Sequence, residues 1–264
     1  MTRAAPALPP AAGQAGAPGH GPGTPRPVPY RRVIIAALGV MVIAAGLLTY
    51  LVVRHRDQDS PPAIRPSGIP ASISTSLADL MGLSLVPARP APGFTLTDQD
   101  GRTMSLASFR GRAVVLEFMD PHCTDICPIV SQEFIDAYHD LGGEASRAVF
   151  IAVNVNPYYR GIASMAAYST EHQLTTVPSW HFFTGPLATL KAVWSAYDIS
   201  VDAPSRDADV IHTSEVLFIG PGGQERYVAA PMADYTAKGN AYLPAGSLAE
   251  WGQGIALVIQ QLAH

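Results

Sequence analysis

A run of 21 consecutive uncharged residues, Val33 to Val53, constrains this chain more than any other feature. An α-helix rises 1.5 Å per residue, so the run would be ~31 Å long, enough to cross a hydrocarbon core of ~30 Å. A cleaved signal peptide would have a shorter apolar region, of ~7–15 residues, followed by a small-residue cleavage site. The residues after Leu51 offer no such site. We therefore predict a single uncleaved transmembrane helix over 33–53.

The segments on either side of this run differ in composition from the rest of the chain. Residues 1–32 are mostly Ala, Pro and Gly, which bury too little apolar surface to offset the entropy of ordering, so they predict a disordered tail. Residues 54–91 contain six prolines and predict a linker, with room for a short amphipathic turn near 77–85. One folded domain is then expected over 92–264.

The charge of that domain bears on its partners. From Pro92 to His264 there are 9 basic and 18 acidic side chains, which gives a net charge of -9. Proteins that bind nucleic acid carry a basic patch or stripe that neutralises phosphates. The sequence therefore predicts no nucleic-acid partner.

Strand and helix patterns alternate along the domain. Continuous apolar runs over 113–119 and 148–155 predict buried strands, and 180–183 predicts a shorter one. Hairpins are predicted over 94–106 and 215–229, and helices over 125–141, 162–172, from Pro186, and from a capping box at Ser247 to about 262. The order predicts an α/β, thioredoxin-like fold, with a central mixed sheet flanked by helices and an N-terminal hairpin. Residues 231–245 are predicted to be a loop inserted before the last helix.

Two cysteines lie at the point where the first buried strand should meet a helix, in the order Cys123-Thr-Asp-Ile-Cys127-Pro. A helix N-terminus lowers the pKa of a thiol and favours the thiolate. If both cysteines are on the first turn, the i, i+4 spacing places their Cβ atoms ~5–6 Å apart. Such a pair suits either a disulfide or two thiolates on one metal ion. A purely structural disulfide would close so short a loop that it would add only ~2 kcal/mol.

Four segments together carry a resemblance to a known family: APGFTLTDQDG with SLASFRGRAVVLEFM, then CTDICP, then VPSWHFFTGP, then Ile-His-Thr-Ser before LFIGPGG. Over roughly residues 90–263 the chain resembles the Sco/SenC family of membrane-anchored copper proteins. The resemblance implies a thioredoxin fold and one copper ion, Cu(I) or Cu(II), bound by Cys123, Cys127 and His212. Two soft thiolates with one imidazole suit Cu(I).

The chain departs from the family pattern beside the histidine. Members often have an acidic residue directly before it, whereas this chain has Ile211, with Asp207 and Asp209 nearby. His122, next to the first cysteine, is a solvated loop residue, a spare ligand or a proton source. The sequence predicts that the remaining chemistry-bearing side chains are surface or core residues: His139, His172, His181 and Met119.

The resemblance implies a copper metallochaperone that delivers copper to the dinuclear copper centre of cytochrome oxidase. Its partners would be the copper-containing oxidase subunit and other copper carriers or thiol reductases. The alternative is a thiol–disulfide oxidoreductase, with Cys123 and Cys127 as a catalytic redox pair that reduces cysteines of a copper-accepting partner. Otherwise no enzyme activity is expected. A peroxidase would need a lone activated cysteine, which the paired cysteines argue against.

Location follows from the same chemistry. Arginines lie close to both ends of the apolar run, so their positions do not set its orientation. Disulfides persist outside the cytoplasm, which suits a redox-active cysteine pair. We expect a single-pass protein of the cell membrane whose C-terminal domain is extracytoplasmic.

Overall fold

The computed structural model describes residue 41, residues 43–51 and residues 67–263. The chain divides into two compact units, Met1–Pro62 and Ala63–His264. In the first unit, residues 43–51 are helical and exposed. Among the described residues, no helix is both long and apolar enough to cross a membrane. The predicted tail over 1–32 and most of the predicted anchor over 33–53 lie outside the described residues.

Twelve strands and five α-helices are found in the described part of the second unit. The strands are β1 (Ser84–Pro90), β2 (Thr95–Thr97), β3 (Thr103–Ser105), β4 (Ala113–Met119), β5 (Ala148–Asn154), β6 (Trp180–Phe183), β7 (Val201–Asp202), β8 (Ile211–His212), β9 (Val216–Ile219), β10 (Gln224–Ala229), β11 (Asp234–Tyr235) and β12 (Ala241–Tyr242). The helices are α1 (Thr75–Leu80), α2 (Ile126–Leu141), α3 (Ile162–Glu171), α4 (Leu187–Ala196) and α5 (Ala245–Ala263).

Six strands form a mixed sheet in the order β1-β10-β9-β4-β5-β6. Strands β4, β5 and β6 are parallel, whereas β9 is antiparallel to β4, and β10 to β9. Strands β2 and β3 form the predicted N-terminal hairpin. The sheet and its covering helices confirm the predicted α/β fold.

Apolar side chains cover both faces of the sheet. On β4, Val115 and Met119 point into a core shared with α2 and α5, whereas Leu116 and Phe118 point into a second core beside α4. Every residue of β4 and β5 is buried. This two-sided burial explains why both strands are continuous apolar runs in the sequence.

The predicted linker over 54–91 is wrong for its second half. Helix α1 and strand β1 belong to the folded unit, and Ile73, Met81 and Leu83 are buried in the core. Strand β1 pairs with β10 at the edge of the sheet. An edge strand tolerates proline because one side of its backbone needs no partner, so Pro87 and Pro90 do not exclude a strand here.

Two smaller differences lie near the end of the chain. Helix α5 begins at Ala245, so Ser247 is inside its first turn and is not the predicted cap. The loop predicted over 231–245 contains a small hairpin, β11 paired with β12. Strands of two residues are too short to show the alternation of apolar and polar residues by which a strand is recognised in a sequence.

Candidate functional site

The two cysteines lie where β4 ends and α2 begins, as the sequence predicts. The backbone N–H of Cys123 donates to the carbonyl of Asp120 at 3.1 Å, which forms a tight turn after the strand. Helix α2 begins at Ile126, and the Asp125 carboxylate caps it by accepting from the Ile126 N–H. Cys127 is therefore in the first turn, whereas Cys123 precedes the helix, so the two cysteines do not share the first turn.

The two thiols interact nonetheless, and unequally. The hydrogen bond from Cys127, together with the backbone N–H groups of Asp125 and Cys127, outweighs burial and lowers the pKa of Cys123 to about 7. The same hydrogen bond raises the pKa of Cys127, which is only 2% exposed. The Cys127 N–H also donates to the Cys123 sulfur at 3.4 Å. Cys123 is thus a half-buried thiol that ionises readily near pH 7, and Cys127 is a buried thiol that does not.

His212 lies on β8, which pairs with β7. Its Nδ1 is 2.9 Å from the Thr213 carbonyl. A carbonyl can only accept, so Nδ1 carries the hydrogen and Nε2 is left with a free lone pair. Burial lowers the pKa of His212, which favours the neutral ring that a metal ion requires.

Cys123 and His212 line the same cleft, which has a volume of about 510 Å³. Three segments form its walls: the cysteine loop from Asp120 to Ile126, the β8 segment from Asp209 to Ser214, and residues 231–235 before and within β11. The sequence predicted the first two segments. The third comes from the inserted loop, whose placement no local pattern reveals.

Asp120 was missed by the sequence analysis. Its side chain is 5% exposed, and its Oδ1 accepts from Asn156 Nδ2 and from the His122 N–H, each at 2.9 Å. It lies in the cleft beside Cys123 and raises the pKa of His212 by its charge. The sequence does contain a signal for Asp120: it is a polar residue directly after a buried strand, and it lies three residues before Cys123.

A pair of buried acids lies under the cysteine loop. Glu117 on β4 accepts from Ser214 Oγ at 2.9 Å through Oε1, while its Oε2 has no partner among the described residues. Neither carboxyl oxygen of Glu133 on α2 has one. Burial raises the pKa of each to about 8, so both carboxyls are largely neutral near pH 7.

The inserted loop is fixed to the cysteine helix by a polar contact. The Tyr235 hydroxyl donates to Asp125 Oδ2 at 3.4 Å. Because Asp125 also caps α2, the hairpin, the cap and the cysteine loop form one connected unit.

The other histidines are away from the two sulfurs or are already engaged. His122 lines the cleft, is exposed, and stacks on Tyr159 with ring centroids 3.8 Å apart. His181 is buried and contacts Asp98, as a core histidine should. The predictions for the remaining residues hold for the exposed His139 and the fully buried Met119, whereas His172 is half-buried against Tyr168.

No set of three or more His, Cys, Asp or Glu side chains lies in a metal-binding arrangement within the part of the chain that the structure describes. The structure brings Cys123 into contact with Cys127, and into one cleft with His212. It does not bring all three together as a finished ligand set.

Comparison with known proteins agrees with this architecture. The SCO1/SenC family model matches residues 86–237, more than half of the chain. The chain belongs to the SCO1/SenC family. Within this family it is similar to the SCO1 protein homolog of Bacillus subtilis, at 26% identity over 140 residues, which are 50% of this chain and 68% of that protein. It is also similar to the bovine mitochondrial SCO2 homolog, at 28% identity over 136 residues, 49% of this chain and 50% of that protein.

Among solved structures, the fold is similar to that of Bradyrhizobium japonicum ScoI with copper bound. The TM-score is 0.50 at 20% identity, covering 66% of this chain and 99% of that one. At this identity the likeness shows the fold alone. This SCO1/SenC chain spans about half the length of its bovine relative.

Proposed function

We propose that this protein is a copper metallochaperone that holds one copper ion through Cys123, Cys127 and His212. The observation that carries the proposal is the cleft in which a cysteine with a lowered thiol pKa faces a histidine with a free Nε2. Membership of the SCO1/SenC family supports it, as does the likeness to a ScoI structure with copper bound. Copper is the cargo, and its destination is the dinuclear copper centre of cytochrome oxidase.

The chemistry of the three side chains fits copper. Thiolate and imidazole ligands favour Cu(I), and the same set holds Cu(II) in a more planar arrangement.

The test is a titration of the reduced full-length chain with Cu(I) against a competing chelator. We expect one copper per chain, and a loss of affinity of more than about 100-fold for Cys123→Ser and Cys127→Ser, since outer groups alone change metal affinity 10–100-fold. His212→Ala should weaken binding less for Cu(I) than for Cu(II). His139→Ala, an exposed histidine outside the cleft, is the matched control. Unchanged affinity in the two cysteine variants would place copper elsewhere.

A second function, thiol–disulfide exchange, is favoured by the unequal cysteines. A half-buried thiolate attacks a disulfide, and a buried thiol then resolves the mixed disulfide. Electrons then pass from the cysteine pair to a partner disulfide, which is reduced. Fast exchange that is unaffected by His212→Ala, together with weak copper binding, would favour this function over copper delivery.

We also propose that the chain is anchored by the apolar run over 33–53, with the folded unit outside the cytoplasm. The described helical residues 43–51 support this because their large side chains, such as Ile43 and Leu47, are apolar and exposed. A reporter enzyme that works only outside the cytoplasm, fused after His264, should be active. Activity of a cytoplasm-specific reporter at the same position would contradict the proposal.

A further inference from the structure

The rim of the cysteine cleft carries exposed apolar side chains. Ile211 is 71% exposed, Tyr235 is 58% exposed and Met232 is 44% exposed. Ile211 and Tyr235 line the cleft, and Met232 lies between the lining residues Pro231 and Ala233. We call Ile211, Met232 and Tyr235 the apolar rim. Large apolar groups clustered around one opening mark an interaction surface far more often than scattered ones do.

The interior of the cleft has one sign of charge. Asp120, Asp125 and Asp209 line it, and no lysine or arginine is among its described lining residues. Arg206, whose guanidinium lies 5.0 Å from the Tyr159 ring, is not one of these lining residues. A cleft lined by one sign of charge focuses its field outward and attracts ligands of the opposite sign.

One of these carboxylates, that of Asp120, has no cation beside it among the described residues. Both of its hydrogen bonds go to Oδ1, from the His122 N–H and from Asn156 Nδ2. The side chain is only 5% exposed and lines the cleft. A carboxylate without a counter-charge, in a cleft lined by one sign of charge, attracts a cation that enters the cleft.

From this combination we propose that the cleft and its apolar rim dock a cationic loop of a partner protein, one that carries Lys or Arg and apolar residues beside its cysteines. The inference rests on the proposed function, because this partner would be the one that exchanges copper or electrons with Cys123. The apolar rim contacts the partner's apolar side chains, and the carboxylates pair with its cations.

A second copy of this chain does not fit the same surface. The domain from Pro92 to His264 has a net charge of -9, so two acidic clefts facing each other would repel. Charge complementarity therefore favours a basic partner over self-association.

The test measures binding of three fluorescent peptides to the full-length chain in neutral detergent. Each peptide has two serines in place of cysteines, so neither redox chemistry nor copper is needed. The serines are flanked by Lys and Leu in the first, by Glu and Leu in the second, and by Lys and Ser in the third. The first should bind at least about tenfold more tightly than the second at low salt, and this preference should shrink as salt rises. Equal affinity for the first two, or a preference that salt does not alter, would overturn the proposal.

Matched variants locate the surface. Asp209→Asn should weaken binding of the Lys-Leu peptide several-fold, whereas Asp140→Asn, the same change at the exposed far end of α2, should not. Ile211→Ser should remove most of the advantage of the Lys-Leu peptide over the Lys-Ser peptide, whereas Ile162→Ser, at another exposed isoleucine, should keep it. Equal effects at the paired sites would show that the peptide binds elsewhere or follows overall charge alone.

Two further readings separate this proposal from its alternatives. Sedimentation of the full-length chain should show no dimer that depends on the apolar rim. A dimer that is lost in Ile211→Ser would show that the rim binds a second copy of the chain and would overturn the proposal. Copper titration of the same samples tests the proposed function independently. A chain that binds copper but prefers no cationic peptide overturns the docking surface alone, whereas a chain that prefers the peptide but binds no copper overturns the chaperone role alone.

Discussion

Two regions of the molecule each combine a buried carboxyl with a histidine, and they differ in how completely their polar atoms are paired. Asp98 accepts hydrogen bonds from the backbone N–H groups of Asp100 and Arg102, from Arg102 Nε and from His181 Nδ1, at 2.8–3.1 Å. Glu117 accepts a side-chain hydrogen bond only from Ser214, two residues after His212, and its Oε2 has none among the described residues.

The pKa values of the two acids move in opposite directions for this reason. Burial raises the pKa of Asp98, but its hydrogen bonds from Arg102 and His181 outweigh burial and hold the pKa below its ordinary value. At Glu117 burial outweighs the hydrogen bonds from Ser214 and from the backbone of Phe118 and Glu215, and it raises the pKa to about 8. The network around Asp98, which we call closed because both carboxylate oxygens are hydrogen-bonded, keeps the carboxylate charged and stabilises the fold. The network around Glu117 is open, because Oε2 has no partner among the described residues.

The histidines differ in the same way. His181 packs between Phe109 and Phe183, with ring centroids 5.1 and 5.6 Å away, and its Nδ1 is engaged by Asp98. His212 is fixed by one backbone carbonyl and keeps Nε2 for the cleft. A histidine that is fully surrounded serves the fold, and one that is held at a single nitrogen is able to act as a ligand.

The largest effect that would sharpen this comparison is loss of copper on oxidation. A disulfide sulfur is not a metal ligand, so joining Cys123 to Cys127 removes two of the three proposed ligands together. Titration of reduced, oxidised and thiol-blocked full-length chain with Cu(I) should give one, zero and zero equivalents. Stoichiometric binding by all three forms would separate the copper site from the cysteine cleft.

The next largest effect is a difference in copper affinity between variants of His212 and His181. His212→Ala should lower Cu(II) affinity by about 10–100-fold or more, while His181→Gln should leave it unchanged. The glutamine variant keeps a polar group against Asp98 and tests the closed network without a large cavity. Equal losses of copper affinity in the two variants would show that fold disruption, not ligation, is being measured.

A smaller effect is expected on the free energy of unfolding. Asp98→Ala leaves His181 and the Arg102 backbone without their acceptor, which should cost about 2–4 kcal/mol in denaturant unfolding. Copper stoichiometry of the folded fraction should not change. A loss below about 0.5 kcal/mol would contradict the view that the closed network stabilises the fold.

The last effect is the pH dependence of the unfolding free energy that Glu117 imposes. Its folded pKa of about 8 lies above the ordinary value of 4.5, so the folded state binds more protons than the unfolded state between these values. The stabilising contribution is complete below about pH 4.5 and is lost as the pH rises through about 8. Glu117→Gln should flatten the fall of the denaturation midpoint between pH 5 and 8.5, with Glu144→Gln as a control on another carboxyl. An unchanged slope would mean that Glu117 is ionised in the folded state.

Much of the fold could be predicted because its central strands are buried on both faces. The runs over 113–119 and 180–183 match β4 and β6 residue for residue. Asp125 at the start of α2 was also predictable, because a capping side chain leaves a local signal. The edge strand β1 was missed because its prolines resemble a linker when the partner strand β10 is unknown.

The candidate site was predictable only in part, for a similar reason. The order Cys-x3-Cys-Pro after a buried strand singled out Cys123 and Cys127, and the resemblance to the Sco/SenC family implied His212. It could not show that Cys123 precedes the helix, or that Asp120 lies beside it. Nor could it show that Tyr235, 110 residues further along the chain, contacts Asp125.

By itself, the amino-acid sequence determined the apolar run over 33–53, the alternating strands and helices, and the position of the cysteine pair at a strand–helix junction. These follow from periodicity and from residue chemistry within a few positions of one another. Only the tertiary structure decided which polar groups are paired and which are free. It paired Asp98 with His181 and left Glu117 Oε2 without a hydrogen-bond partner among the described residues. It also placed the inserted hairpin at the mouth of the cleft. Hydrogen-bond satisfaction and burial depend on residues distant in the chain, and no local pattern encodes them.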